Sequence, residues 1–76
     1  MEADPRKLFG NRLVKLRKKH GWSQEALAWE SDIARSYISG VERGQRNISL
    51  VNICKLANTL GVQPSELLKF EETDEQ

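Results

Sequence analysis

The stretch from Ser23 to Gly44, SQEALAWESDIARSYISGVERG, constrains this chain more than any other. Ser23 is an N-cap residue ahead of a short helical run, Gln24 to Ser31. Leu27 and Ala28 face inward there, and the small Ala28 lets a neighbouring helix pack close. Ser31, Asp32 and Ile33 form a tight turn, with Ile33 plugging the core. A second short helix follows from Arg35 to Arg43, with Ile38 and Val41 pointing in and Gly44 stopping it. Arg35 and Ser36 open that helix on its outer side. Two short helices joined this way can lay the second one in the DNA major groove.

The remaining elements frame that unit. Asp4 and Pro5 suit the N-cap and first position of a helix running to Lys19. Phe9, Leu13 and Leu16 share one stripe of it, with Leu8 beside them. His20 and Gly21 end it, and its last turn is basic, as the helix dipole favours. Trp22 packs behind the second helix. After a loop of Gln45, Arg46, Asn47 and Ile48, Ser49 caps a fourth helix, Leu50 to Leu60, with Leu50, Ile53, Ala57 and Leu60 inward. Gly61 ends that helix and Pro64 opens a fifth, whose apolar side is Leu67, Leu68 and Phe70. The expected class is all-α: a compact five-helix domain over residues 1–70, with an acidic, disordered tail over 71–76. Neither repeats nor strand patterns interrupt it.

Seventy-six residues make one small domain with a marginal core, so tight packing or oligomerisation is expected. A single cysteine, Cys54, rules out an internal disulfide and suits a reducing compartment. It reads as a small buried hydrophobe. No apolar run approaches a membrane span and no secretion signal is visible, which points to the cytoplasm. The formal charge of +1 conceals segregation. Seven of the twelve bases lie in the first twenty residues, and four acids lie in the last six. Residues 5–70 hold twelve bases against five acids, a net +7. That balance suits a polyanion, although a solvated helix face accounts for it equally well.

These marks, taken in order, resemble the Xre-type, lambda-repressor-like helix-turn-helix family. They are Ser23-Gln24, Leu27-Ala28, Ile33, Tyr37-Ile38-Ser39, Glu42-Arg43-Gly44, Leu56-Ala57 and Leu60-Gly61-Val62, and they run over nearly the whole chain. The string Arg35 to Arg43, followed by Arg46-Asn47, is similar to controller proteins of restriction–modification systems. The resemblance implies a homodimeric transcription regulator on a palindromic double-stranded operator, with half-sites about 34–36 Å apart. Such a controller governs its own gene and an endonuclease gene, activating at low occupancy and repressing when a second dimer binds. It acts by steric block or by contact with RNA polymerase. A phage-type repressor, an antitoxin regulator and, from another class, a protein-interaction module without DNA binding are the alternatives.

Two positions depart from the family. Asp32 stands where glycine is usual, and aspartate tolerates a left-handed backbone at modest cost. Ala34 stands where a capping Ser or Thr is usual, so Asp32 is left as the stand-in acceptor or the helix start frays.

The candidate DNA-binding residues are Gln24, Arg35, Ser36, Tyr37, Ser39, Arg43, Arg46 and Asn47. Arginine can bond guanine O6 and N7 with two parallel bonds, which suits Arg35. Ser36 reaches a base or a phosphate, and Ser39 the backbone. Tyr37 offers its hydroxyl to a phosphate or its ring to the core. Gly40 permits close approach to DNA and reads nothing itself. In the family the Gln24 position donates to a phosphate and braces the recognition helix. Arg43, Arg46 and Asn47 match phosphate-clamping positions, with Arg46 able to enter a groove. The resemblance also pairs Glu42 with a first-helix arginine, here Arg17, as a structural ion pair. Val51, Cys54, Leu67, Leu68 and Phe70 exceed what one small core needs and are assigned to the dimer interface. Trp29 points outward, covering the first helix or joining an interface. His20 lacks partners at metal-ligand spacing, so no metal is expected. With no phosphate loop, nucleophile–base pair or cofactor motif, no enzyme, cofactor or small-molecule ligand is expected.

Overall fold

The structure is a computed structural model that describes residues 4–70. The expected tail, 71–76, lies outside the described residues. Five helices follow in order: α1 (Pro5–Lys19), α2 (Gln24–Ser31), α3 (Arg35–Glu42), α4 (Leu50–Leu60) and α5 (Pro64–Leu67). Arg43 is the cap of α3 rather than its last residue. The class is all-α, with no strand among the described residues. No helix among them is long and apolar enough to cross a membrane.

The helix starts follow local chemistry. The Asp4 carboxylate accepts the Arg6 backbone N–H at 2.9 Å, and the Arg6 guanidinium closes back on it at 2.6 Å. Those contacts hold the Asp4 carboxyl at about 2, below its ordinary 3.8. Ser23 Oγ accepts from Ala26 N at 3.0 Å, and Ser49 Oγ from Asn52 N at 3.1 Å. Only α3, among the longer helices, opens without a side-chain cap: Ala34 has no acceptor and Asp32 does not stand in for it.

The exits of α1 to α4 share one device, a residue in the left-handed conformation. Gly44 N–H donates to Val41 O at 3.0 Å and Gln45 N–H to Gly40 O at 2.9 Å, the paired bonds of a Schellman motif. Gly44 takes φ +75° there, which glycine adopts without a Cβ penalty. At the end of α2 the left-handed residue is Asp32, φ 59°, with Ile33 N–H reaching Ala28 O at 3.2 Å. Among the described residues it is the only non-glycine at positive φ. The turn into α3 therefore keeps its shape with aspartate at the glycine position.

The core sits where α1, α2 and α3 meet α4 and α5. Leu13, Leu27, Ile38 and Leu67 are fully buried, and Phe9, Val41, Leu56, Ala57 and Leu60 nearly so. Gly10 lets α1 touch α3: a Cβ there would lie 2.6 Å from both the Val41 and the Glu42 carbonyl oxygens. Backbone atoms cannot yield as a side chain can, so α3 is seated on α1 at that glycine. α5 closes the other side. Arg12 Nε donates to Glu66 O at 2.6 Å and its Nη2 to Glu66 Oε1 at 3.1 Å. Lys69 Nζ lies 3.1 Å from Glu66 Oε2. Lys69 first, with Arg12, lowers the Glu66 pKa below its usual value.

Three sequence expectations change. Leu50 is 73% exposed, because the first turn of α4 projects past the core, and Leu56 takes its place. Cys54 is exposed rather than buried. Leu67 belongs to the monomer's own core and cannot be an interface residue, because α5 packs on α1 and α4 and carries it inside.

Candidate nucleic-acid interface

The second and third helices present one continuous outer surface. Arg35 and Ser36 are exposed at the start of α3, with Ser39 half-buried one turn later. Ile38, on the opposite side, is fully buried, and Val41 is 1% exposed. Periodicity accounts for part of this division: burying positions 38 and 41 turns 36 and 39 outward, whereas Arg35, three residues before Ile38, is exposed as the first residue of α3. The α3 start is therefore a short row of side chains that can reach base edges.

Behind that row lies a buried network that sets the angle between α1, α2 and α3. Arg17 Nε donates to Glu42 Oε2 at 2.7 Å and Nη2 to Glu42 Oε1 at 3.0 Å, a bidentate pair. The two side chains are 11% and 4% exposed. Arg17 Nη1 also donates to the Trp22 carbonyl at 2.9 Å, tying in the loop between α1 and α2. Gln24 Nε2 donates to Glu42 Oε1 at 2.8 Å. A carboxylate only accepts, so the amide must turn its nitrogen to Glu42. One of the two amide hydrogens is spent there, and the second remains for another acceptor. Gln24 is thus built into the scaffold at the first residue of α2 while keeping donor capacity. No buried side-chain nitrogen or oxygen lacks a partner among the described residues.

Arg43, Arg46 and Asn47 are exposed on the loop after α3. Arg46 is not extended. Its guanidinium carbon sits 5.1 Å from the centroid of the Tyr37 ring, a cation–π geometry. Its stem crosses Gly40, where an added Cβ would meet Arg46 Cγ at 2.9 Å. Gly40 is buried as a result, so the expectation that it offers bare backbone to DNA is overturned. Tyr37 is half-buried, its ring packed against the core and serving as the platform for Arg46. Sequence spacing held no sign of this contact, which depends on the chain folding back after Gly44.

Part of the positive charge is committed to acids. Arg12 and Arg17 pair with them inside the fold, and Arg6 and Lys69 on its surface. Arg35, Arg43 and Arg46 cluster instead around α3. Trp29 is 84% exposed and lines an open groove with Ser23, Glu25, Glu30 and Arg35. It covers no part of the core. Trp22 is half-buried and stacks on His20 with ring centroids 4.0 Å apart. No group of three or more metal-ligating side chains occurs among the described residues.

Along α4 and after α5, Val51 is 69% and Leu68 49% exposed, and Leu50 joins them. Phe70 is half-buried in a small cleft with Phe9, Ile48, Ile53 and Leu68, which Arg46 and Asn47 also line. This apolar surface along α4 and after α5 is unlike the mixed surface around α3.

Comparison with known proteins agrees with this geometry. The helix-turn-helix family model matches residues 13–67. The chain is 53% identical over 71 residues to the control protein C.BamHI of Bacillus amyloliquefaciens, across 92% of this chain and 88% of that one. It is 52% identical over 60 residues to the control protein C.MunI of Mycoplasma sp, covering 78% and 81%. Among solved structures it is similar to the restriction-modification controller protein C.AhdI from Aeromonas hydrophila, with 58% identity and a TM-score of 0.80. That match covers 82% of this chain and 94% of the other.

Proposed function

The chain belongs to the helix-turn-helix family, and from that footing we propose that it is the DNA-binding controller of a restriction–modification system. One observation carries the narrower reading: identity above half, over nearly the full length of both chains, with a control protein. That match spans α4 and α5 as well as the reading helix.

The mechanism follows from the arrangement around α3. The helix enters the major groove with Arg35 aimed at a guanine and Ser36 at a neighbouring base or phosphate. Ser39, Arg43 and Asn47 meet the flanking backbone, as does the Tyr37 hydroxyl. Gln24, anchored to Glu42, gives its second amide hydrogen to a phosphate. Arg46 joins from the surface of α3 itself. Contacts to phosphate set register, and Arg35 supplies most of the discrimination.

One such helix reads too few base pairs to find an operator alone. Two copies related by a two-fold axis place two reading helices about one DNA turn apart. The exposed Leu50, Val51, Cys54 and Leu68, with Phe70 beside them, form the surface assigned to that axis. The regulator then turns its own concentration into occupancy of a palindromic operator, and touches RNA polymerase or blocks it.

Selection of bound sequences from random duplex DNA, at fixed near-physiological salt, tests this reading. A palindromic motif with half-sites one turn apart supports it. Weak, salt-sensitive binding with no enriched motif shifts the weight to a protein-interaction module. For the dimer, sedimentation that shows only monomer at tens of micromolar decides against it.

A further inference from the structure

We infer that Gly40 is a seat for Arg46, and that Tyr37 and Gly40 together hold the Arg46 guanidinium on the recognition helix as if it were that helix's own side chain. This rests on the DNA-binding reading above. The outward face of α3 is short of long side chains after Ser36, because the positions one turn later are Ser39 and Gly40. Gly40 is nonetheless buried. What covers it is the Arg46 stem: a Cβ at residue 40 would meet Arg46 Cγ at 2.9 Å, Nε at 3.5 Å and Cδ at 3.6 Å.

The backbone imposes this placement. Gly44 turns the chain left-handed, and Gln45 N–H is bonded to the Gly40 carbonyl at 2.9 Å. Residue 46 must therefore start beside residue 40. From there the side chain runs toward the start of α3, and its charge comes to rest over the Tyr37 ring. The two ends of the arginine are thus set by different features: its stem by the missing Cβ of Gly40, its head by an aromatic face one turn away.

The consequence is preorganisation. A loop arginine ordinarily loses its rotamer freedom when DNA arrives. Here that freedom is largely spent in the free protein, and the charge already lies on the surface that meets the groove. Gly40 and the Tyr37 ring are positioning residues in this scheme, and Arg46 makes the contact. Any side chain at position 40 takes the volume of the Arg46 stem and turns the guanidinium off α3.

The test uses the full-length protein and the duplex enriched by the wild-type chain, titrated at one salt concentration. Arg46→Ala is expected to weaken binding about tenfold, within the range of one DNA contact. Gly40→Ala is expected to weaken it by a similar factor, although Arg46 is still present. The double variant should bind no worse than Arg46→Ala, because both changes remove one contact. Thermal unfolding supplies a readout that a structural role would move the other way. Alanine is the better helix former and the three atoms nearest its Cβ all belong to the exposed Arg46 side chain, which can swing away, so the Gly40→Ala midpoint should equal or exceed that of wild type.

Gly40→Ala binding like wild type would overturn the inference, as would losses that multiply in the double variant. So would an Arg46→Ala protein of unchanged affinity. If Gly40→Ala unfolds while the double variant folds, the clash with Arg46 is demonstrated and the seat is supported. A wild-type chain that enriches no duplex would overturn the regulator reading and this inference together, whereas the other adverse outcomes strike this inference alone.

Discussion

Glu42→Ala is expected to cost this protein a large share of its stability, although it truncates a single polar side chain. Glu42 accepts three bonds: two from Arg17, at 2.7 and 3.0 Å, and one from Gln24 at 2.8 Å. Its side chain is 4% exposed and that of Arg17 11%, so neither charge has water to fall back on. Truncation leaves the Arg17 guanidinium buried with only the Trp22 carbonyl as a partner. Removing one member of a buried pair typically costs about 3–5 kcal/mol, against about 0–1 for a pair in solvent. A chain of 76 residues has a total stability of about 4–11 kcal/mol. The loss is therefore a large share of the whole, and a drop of more than about 10 °C in the unfolding midpoint should accompany it.

Replacing both partners together, Arg17→Met with Glu42→Gln, removes both buried charges and should cost much less than Glu42→Ala alone. The assay is urea unfolding followed by far-UV circular dichroism, at two protein concentrations to separate any contribution from dimerisation. A Glu42→Ala loss below about 1 kcal/mol would put the pair in the solvent-screened class and refute the argument. A double variant as unstable as the single one would do the same, since the cost would then come from lost attraction rather than from a stranded charge.

Other expectations are shorter to state. Arg35→Ala should lose discrimination at one guanine of each half-site, by about 1–3 kcal/mol, in competition between matched and mismatched duplexes; uniform weakening on all sequences would move Arg35 to the phosphate contacts. Ala34→Ser supplies the acceptor that α3 lacks and should raise stability by about 1 kcal/mol in denaturant titration, with an unchanged result meaning the helix start is satisfied otherwise. The Asp4 carboxyl, held at about 2 by Arg6, lends α1 stability that is complete above its ordinary 3.8 and lost as pH falls toward the folded value. The Arg6 amide resonance should therefore report fraying of the first turn between those two pH values, and Asp4→Asn should abolish that step; a titration centred at 3.8 in the native chain would contradict the Arg6 contact.

How much of this was readable in advance depends on the range of each interaction. Helix starts and stops at Asp4, Ser23, Ser49, Gly44 and Gly61 are decided within four or five residues, by a side-chain oxygen or a left-handed glycine. They could be read from the chain directly, whereas the left-handed Asp32 and the uncapped Ala34 stood out only against the pattern of the family. The Arg17–Glu42 pair spans twenty-five positions and was reachable only through family resemblance. Leu50, Leu67 and Cys54 were misplaced because apolar character does not say where a small core ends. A stripe on α4 continues past the last neighbour that can cover it, whereas α5, one turn long, packs on α1 and α4 and buries Leu67.

Sequence alone therefore determined the five helices, their order and the outward side of α3, because periodicity and capping act within a turn of backbone. Tertiary structure decided the rest: that Gly10 lets α1 touch α3, that Gln24 is tied to Glu42, and that Arg46 lies in the space left by Gly40. Those are contacts between segments, and a local pattern carries no record of which distant surface will occupy a missing Cβ.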